Sequence, residues 1–128
     1  MTNLRVKNES NDQFFFEKAL IESFKISYQI DPKFSYEECK EKLREILGIS
    51  DVSHCFTNPN HEIFILEEKS GKKIGLIWIS IKNFNNSSKK ELVWVNNIYI
   101  SQEFRRKKLA RKLLVKVEEW TKKRGLNT

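Results

Sequence analysis

Ile98-Tyr99-Ile100-Ser101-Gln102-Glu103-Phe104-Arg105-Arg106-Lys107-Lys108-Leu109-Ala110 is the stretch on which the reading of this chain turns. Its apolar head reads as the end of a β-strand. Leu109 and Ala110 open a helix that Leu113, Leu114, Val117 and Trp120 continue at a period near 3.6. Between them, Arg105, Arg106, Lys107, Lys108, Arg111 and Lys112 place six cations in eight residues, with no carboxylate among them. A helix start is already the positive end of the dipole, so each added cation there costs about 0.3–1 kcal/mol. An anion at the turn would reverse that cost, because the first-turn amides are also free to donate to it. The unit therefore reads as a site for a phosphorylated ligand.

Outward from this unit, Glu91 to Ile100 reads as one long strand. Before it, Glu62–Glu67 and Lys73–Ile81 are apolar runs separated by Glu68-Lys69-Ser70-Gly71-Lys72, which predicts a β-hairpin. Nearer the N-terminus the period becomes helical. Ser10 with Gln13 and Ser35 with Glu38 are two capping boxes. The first helix would turn Phe15, Phe16, Ala19, Leu20 and Phe24 inward and break at Asp31-Pro32. The second would turn Tyr36, Cys39, Leu43, Ile46 and Leu47 inward and stop at Gly48. Leu4-Arg5-Val6-Lys7 alternates and predicts a short first strand. Gly125 closes the last helix. The order is β-α-α-β-β-β-α, an α+β domain with a mixed, largely antiparallel sheet flanked by helices, in a single domain spanning residues 1–128.

Composition sets the bounds. With 39% hydrophobic and 32% charged residues the chain can bury a core, and it is not a disordered polyelectrolyte. No apolar run reaches the roughly 20 residues of a membrane helix, and the N-terminus lacks a signal-peptide core. Two cysteines, Cys39 and Cys55, read as free thiols of a reducing cytoplasm. The net charge of +7 is unevenly placed. Residues 1–88 hold 12 Lys/Arg and 13 Asp/Glu, a net of −1; residues 89–128 hold 12 and 4, a net of +8. The excess lies around the cationic turn, which calls for a polyanionic ligand or partner.

The turn Arg105-Arg106-Lys107-Lys108-Leu109-Ala110, preceded by Asn97-Ile98-Tyr99-Ile100-Ser101 and followed by Lys112-Leu113-Leu114, resembles the Arg/Gln-x-x-Gly-x-Gly/Ala hallmark of the GNAT superfamily of acetyl-CoA-dependent N-acetyltransferases. The Arg-Arg-x-x-Leu-Ala form is most similar to protein N-terminal acetyltransferases. The resemblance implies acetyl-CoA as co-substrate, no metal, and an amine acceptor on a small molecule or peptide. It implies that backbone groups of Ile98, Tyr99 and Ile100 pair with the pantetheine arm. Amides of Arg106, Lys107, Lys108, Leu109 and Ala110 would hold the pyrophosphate, with added charge from Arg105 and Arg106. Direct attack by the amine on the thioester would follow, with a carboxylate acting through water as base and a strand amide meeting the oxyanion. Two departures stand out. Lys108 occupies the hallmark glycine position, and the strand, helix and further strands that follow the central helix in the family have no counterpart before Thr128. The expectation is a truncated member, a fragment, or a domain completed by a homodimer partner or another chain.

Candidate catalytic residues are Glu91, as base, and Asn97, which would orient a water or the substrate. His54, Cys55 and His61 fit no zinc pattern. Trp78, Trp94 and Trp120 read as core. Two other readings compete with catalysis: a degenerate module that binds coenzyme A or a partner without turnover, and a basic nucleic-acid-binding domain. The latter is disfavoured, since no aromatic is interleaved with the cations.

Overall fold

The computed structural model describes residues 2–7, 10–27, 33–47, 56–83 and 91–126. They form two compact units, Asn8–Asn58 on the one hand and Met1–Lys7 with Pro59–Thr128 on the other.

The Asn8–Asn58 unit holds helices α1 (Ser10–Ser27) and α2 (Tyr36–Leu47). In α1, Phe16, Ala19, Leu20, Ile21 and Phe24 are buried, which is the expected stripe widened by Ile21; Phe15 is only half-buried. The Ser35 box of α2 forms as expected: the Glu38 amide donates to Ser35 Oγ at 3.1 Å, and the Ser35 amide donates to Glu38 Oε1 at 3.2 Å. Two orphan donors at the helix start are satisfied this way. On α2, Cys39 and Leu43 are buried, whereas Tyr36 and Ile46 lie exposed, so the inward face is narrower than the periodicity implied. Buried Glu17 of α1 accepts at Oε1 from the Tyr36 hydroxyl, at 2.8 Å, and from Lys40 Nζ, at 3.1 Å.

The other unit is an antiparallel sheet of β1 (Thr2–Val6), β2 (His61–Glu68), β3 (Lys73–Asn83) and β4 (Glu91–Ile100), in the order β1-β2-β3-β4, with helix α3 (Leu109–Lys123). The expected mixed sheet is antiparallel at every described pair. Ile63, Phe64, Ile65 and Leu66 are all fully buried, so both faces of β2 are covered. On one face Phe64, Leu66, Ile77, Ile79, Val93 and Ile100 pack with Leu113 and Val117 of α3, and Trp120 meets Phe64 edge-on. Burying a side chain such as Leu113 contributes about 1.5–3 kcal/mol. Leu114 and Ala110, placed on the stripe by periodicity, are exposed, because they lie a step of about 100° off the Leu109–Leu113–Val117 line. Gly125, at φ 66°, donates to Lys122, and Leu126 donates to Thr121, which is a Schellman closure of α3.

Two irregularities shape the sheet. On β3, Leu66 pairs with Gly75 but Glu67 pairs with Lys73, so Ile74 is an extra residue. Its carbonyl accepts from the Ser101 amide at 2.8 Å. On β4, Trp78 pairs with Asn97 but Ile79 pairs with Val95, so Asn96 is an extra residue and the strand bulges. Gly75 lies opposite Ile100, where an added Cβ would stand 2.8 Å from both Ile100 Cδ1 and Tyr99 O. Of the three tryptophans, Trp78 is buried and Trp120 half-buried, but Trp94 is 47% exposed with Lys82 Nζ 5.0 Å above its ring. Trp94 is therefore not core, although it pairs with buried Ser80.

Two outcomes follow. Gly75→Ala should destabilise the protein by about 1–3 kcal/mol, because backbone as well as side chain must give way; an unchanged urea midpoint would contradict this close approach. Tyr36, 36% exposed and so still largely covered, is pushed up to about 12, by that burial first and by donation to Glu17 second. Its folded value lies above its unfolded one, so its contribution is complete below about pH 10 and is lost as pH rises toward 12. Over that window the melting temperature should fall more steeply for the parent than for Tyr36→Phe.

Candidate functional site

The site begins where β4 ends. After Ile100 the chain makes a single 3-10 turn, Gln102–Phe104, closed by the Phe104 amide donating to Ser101 O at 2.8 Å. Arg105 then folds back, and its Nε donates to Ile100 O at 2.8 Å, fixing the cationic loop to the strand it leaves. Two loop residues adopt left-handed backbone: Arg106 at φ 67° and Lys108 at φ 61°. Left-handed residues in a turn can bring backbone amides to one side of a loop, as in an anion-binding nest. Lys108 is also the N-cap of α3 and makes no side-chain cap, so the first-turn amides have no side-chain acceptor there.

A cleft of about 450 Å³ opens at this turn. Ile100, Phe104, Leu109 and Ala110 give it an apolar floor, and Arg105, Arg106 and Lys108 give it a cationic rim. Not all six cations face it equally. Lys112 Nζ donates to the Thr2 hydroxyl and carbonyl on β1, and Lys107 Nζ lies 5.4 Å above the Phe104 ring. Lys72 Nζ lies 5.6 Å above the same ring and pairs with Glu103 at 3.0 Å. Arg106, Lys108 and Arg111 remain exposed. An apolar floor beside donors and fixed charge suits a ligand with a carbon chain at one end and phosphate at the other.

The expected strand segment Ile98, Tyr99 and Ile100 leads directly into this cleft, and all nine expected cofactor positions fall along one continuous run of backbone. Asn97 lies on the same strand at the bulge. Its Oδ1 is buried and has no hydrogen-bond partner among the described residues. Its neighbour Asn96 donates from Nδ2 to buried Ser80 Oγ at 3.0 Å. Across from Asn97, the Trp78 indole donates to His61 Nδ1 at 2.8 Å. Glu91 stands exposed at the other end of β4, paired with Asn83. Six residues of strand place it about 20 Å from Asn97. His54 and Cys55 lie outside the described residues, and among the described residues no three His, Cys, Asp or Glu come together as a metal cluster. Nothing in the residue pattern marked Phe104 as cleft floor. The Asn96–Asn97 pair did carry a signal, since asparagine is depleted in strands.

A model of the Acetyltransferase (GNAT) family matches residues 17–128, and the chain belongs to that family. It is thus an acetyltransferase of the acetyl-CoA-using kind. No protein of curated function matches it at comparable stringency. Among solved structures, a Pyrococcus furiosus protein assigned as an acetyl transferase superposes with a TM-score of 0.71 at 23% identity, over 98% of this chain and 78% of its own. A Clostridium acetobutylicum protein assigned as an acetyltransferase and solved with acetyl-CoA gives 0.64 at 17% identity, over 100% and 78%. An aminoglycoside acetyltransferase from an uncultured soil metagenomic sample gives 0.66 at 16% identity, over 98% and 73%. At these identities the likeness is one of fold.

The left-handed backbone explains why the hallmark carries glycine where this chain has Lys108: glycine takes that conformation without the Cβ penalty. Lys108→Gly should raise stability by about 1 kcal/mol, the relieved strain exceeding the added chain entropy. A urea midpoint that moves up at constant slope is the expected result.

Proposed function

We propose that this chain transfers the acetyl group of acetyl-CoA to a primary amine by direct attack. The observation that carries the reading is the paired left-handed turn at the start of α3, with its apolar-floored, cation-rimmed cleft at the end of β4. Amides of Arg106 to Ala110 hold the pyrophosphate, and the Arg106 guanidinium adds charge from the rim. The pantetheine arm lies along Ile98, Tyr99 and Ile100 as an added strand would, trading backbone hydrogen bonds.

The thioester then stands beside the bulge. The amine lone pair attacks the carbonyl carbon, the carbon–oxygen double bond opens to an oxyanion, and a β4 amide freed by the bulge donates to it. Collapse breaks the carbon–sulfur bond; the thiolate of coenzyme A leaves, and the ammonium proton passes to water. Asn97 takes part through its buried Oδ1, which has no partner among the described residues; it accepts an N–H of the amine or of a water beside it and so aims the lone pair. Glu91, at the far end of β4, has no part in this step.

Titration calorimetry with acetyl-CoA tests the first half. Saturable binding that Arg106→Ala weakens by about tenfold is expected, because one charge-assisted contact to phosphate is lost. Absence of binding at millimolar acetyl-CoA rejects the reading. For the second half, Asn97→Ala should lower kcat for an accepted amine by about tenfold or more while the KM for acetyl-CoA stays fixed. Glu91→Gln should leave both unchanged.

A further inference from the structure

Two adjacent asparagines meet at the β4 bulge, and one of them is the extra residue. Val95 pairs with Ile79, Asn97 with Trp78 and Ile98 with Ile77, which leaves Asn96 out of the ladder. A second ladder would keep every flanking pair. With Asn96 opposite Trp78 and Asn97 extra, Val95 still meets Ile79 and Ile98 still meets Ile77. Both ladders keep the same apolar pairs and put the same residue type at both positions. Hydrophobic pattern and backbone propensity therefore do not choose between them, and register is weakly specified under that condition.

The choice has to come from outside β4. We propose that Ser80 on β3 is a positioning residue: its Oγ holds the Asn96 side chain and so makes Asn96, not Asn97, the extra residue.

Three observations carry this. First, the two asparagines differ in their side-chain bonds. Asn96 donates from Nδ2 to Ser80 Oγ at 3.0 Å, whereas Asn97 Oδ1 is buried with no hydrogen-bond partner among the described residues. Second, Ser80 is 4% exposed, in a run of β3 from 74 to 81 whose other members are apolar or glycine. A buried hydroxyl is costly unless it is bonded, and Asn96 supplies a bond. Third, the bond favours one ladder. Ser80 stands opposite Trp94. In the second ladder Asn96 would be its regular diagonal neighbour, about 7–8 Å away, at the limit of what two such short side chains span. As the extra residue, Asn96 closes that gap to 3.0 Å.

The choice fixes which Oδ1 and which strand amide stand at the bulge. One residue of strand is about 3.3 Å, and the aim of a reacting group tolerates much less than that. This consequence for catalysis rests on the transfer reading above, whereas the choice of bulge does not.

Nuclear magnetic resonance on the full chain without acetyl-CoA tests it, through cross-strand Overhauser contacts from Trp78. In the parent these should run to Asn97. In Ser80→Ala, which removes the hydroxyl and little volume, they should divide about equally between Asn96 and Asn97, because the bond that separated the two ladders is gone. Asn96→Ala, at a half-buried site, should divide them between positions 96 and 97 in the same way, and the double variant should add nothing further. Ser80→Thr keeps the hydroxyl and should keep the parent pattern. Contacts that stay wholly on Asn97 in Ser80→Ala overturn the proposal; should that variant not fold, the same result in Asn96→Ala does so.

Kinetics separate this claim from the transfer reading. The acceptor is the primary amine acetylated fastest by the parent in a panel of alkylamines, amino sugars and dipeptides. Ser80→Ala should lower kcat about twofold at unchanged KM for acetyl-CoA, and Ser80→Thr should restore it. Divided contacts with kcat unchanged uphold the choice of bulge and refute the role given to Asn97. A parent that binds no acetyl-CoA refutes the transfer reading alone, since the Overhauser contacts decide the role of Ser80 by themselves.

Discussion

The cationic turn is placed by one close contact, the bare backbone of Gly75 against Tyr99 O and the Ile100 side chain. It lets β3 lie tight against the last two residues of β4. Around it, the Ser101 amide reaches Ile74 O, and the Arg105 guanidinium reaches back to Ile100 O. These bonds fix where the strand stops and the loop begins. The loop in turn sets the first residue of α3, and Leu113 and Val117 complete the packing on Phe64, Leu66 and Ile77. A side chain at Gly75 would disturb this sequence of contacts at its origin.

The loop itself carries unfavourable terms. Two non-glycine residues sit in left-handed backbone, at a cost of order 1–3 kcal/mol each. Like charges crowd the positive end of a helix dipole. Three local contacts offset part of this: Lys107 and Lys72 over Phe104, and Lys112 on Thr2. What remains is strain and charge held in place by a well-packed helix and sheet. Such a loop is poised to gain from a phosphate ligand, which turns repulsion among cations into attraction.

Much of this was legible from residue order. The hairpin over Gly71, the Ser35–Glu38 box, the stop at Gly125 and the start of α3 all formed within a residue or two of expectation, because each rests on a local rule with a local residue to signal it. What the pattern did not carry was phase. Trp94 counted as core because apolar residues crowd β4, yet an extra residue at Asn96 changes which neighbours share a face. The left-handed backbone at Lys108 was implied by the missing glycine, whereas Arg106 gave no sign, since arginine has no preference that marks it. The distance between Asn97 and Glu91 was not legible either; it follows from β4, whose rise over six residues sets them about 20 Å apart.

The bulge at Asn96 has a consequence for how freely the two halves of β4 can vary. Val93 and Val95 pair with Ile81 and Ile79; Ile98 and Ile100 pair with Ile77 and Gly75. Without Asn96 the same partners would still meet, and the strand would alternate without interruption. The core therefore does not ask for the extra residue; an unbroken ladder would serve it as well. Asn96 acts as a spacer in the count of the strand, and its side chain is anchored on Ser80 Oγ. It permits two adjacent polar side chains on one face of the sheet where strict alternation would permit one, and it does so without moving a single neighbour out of register.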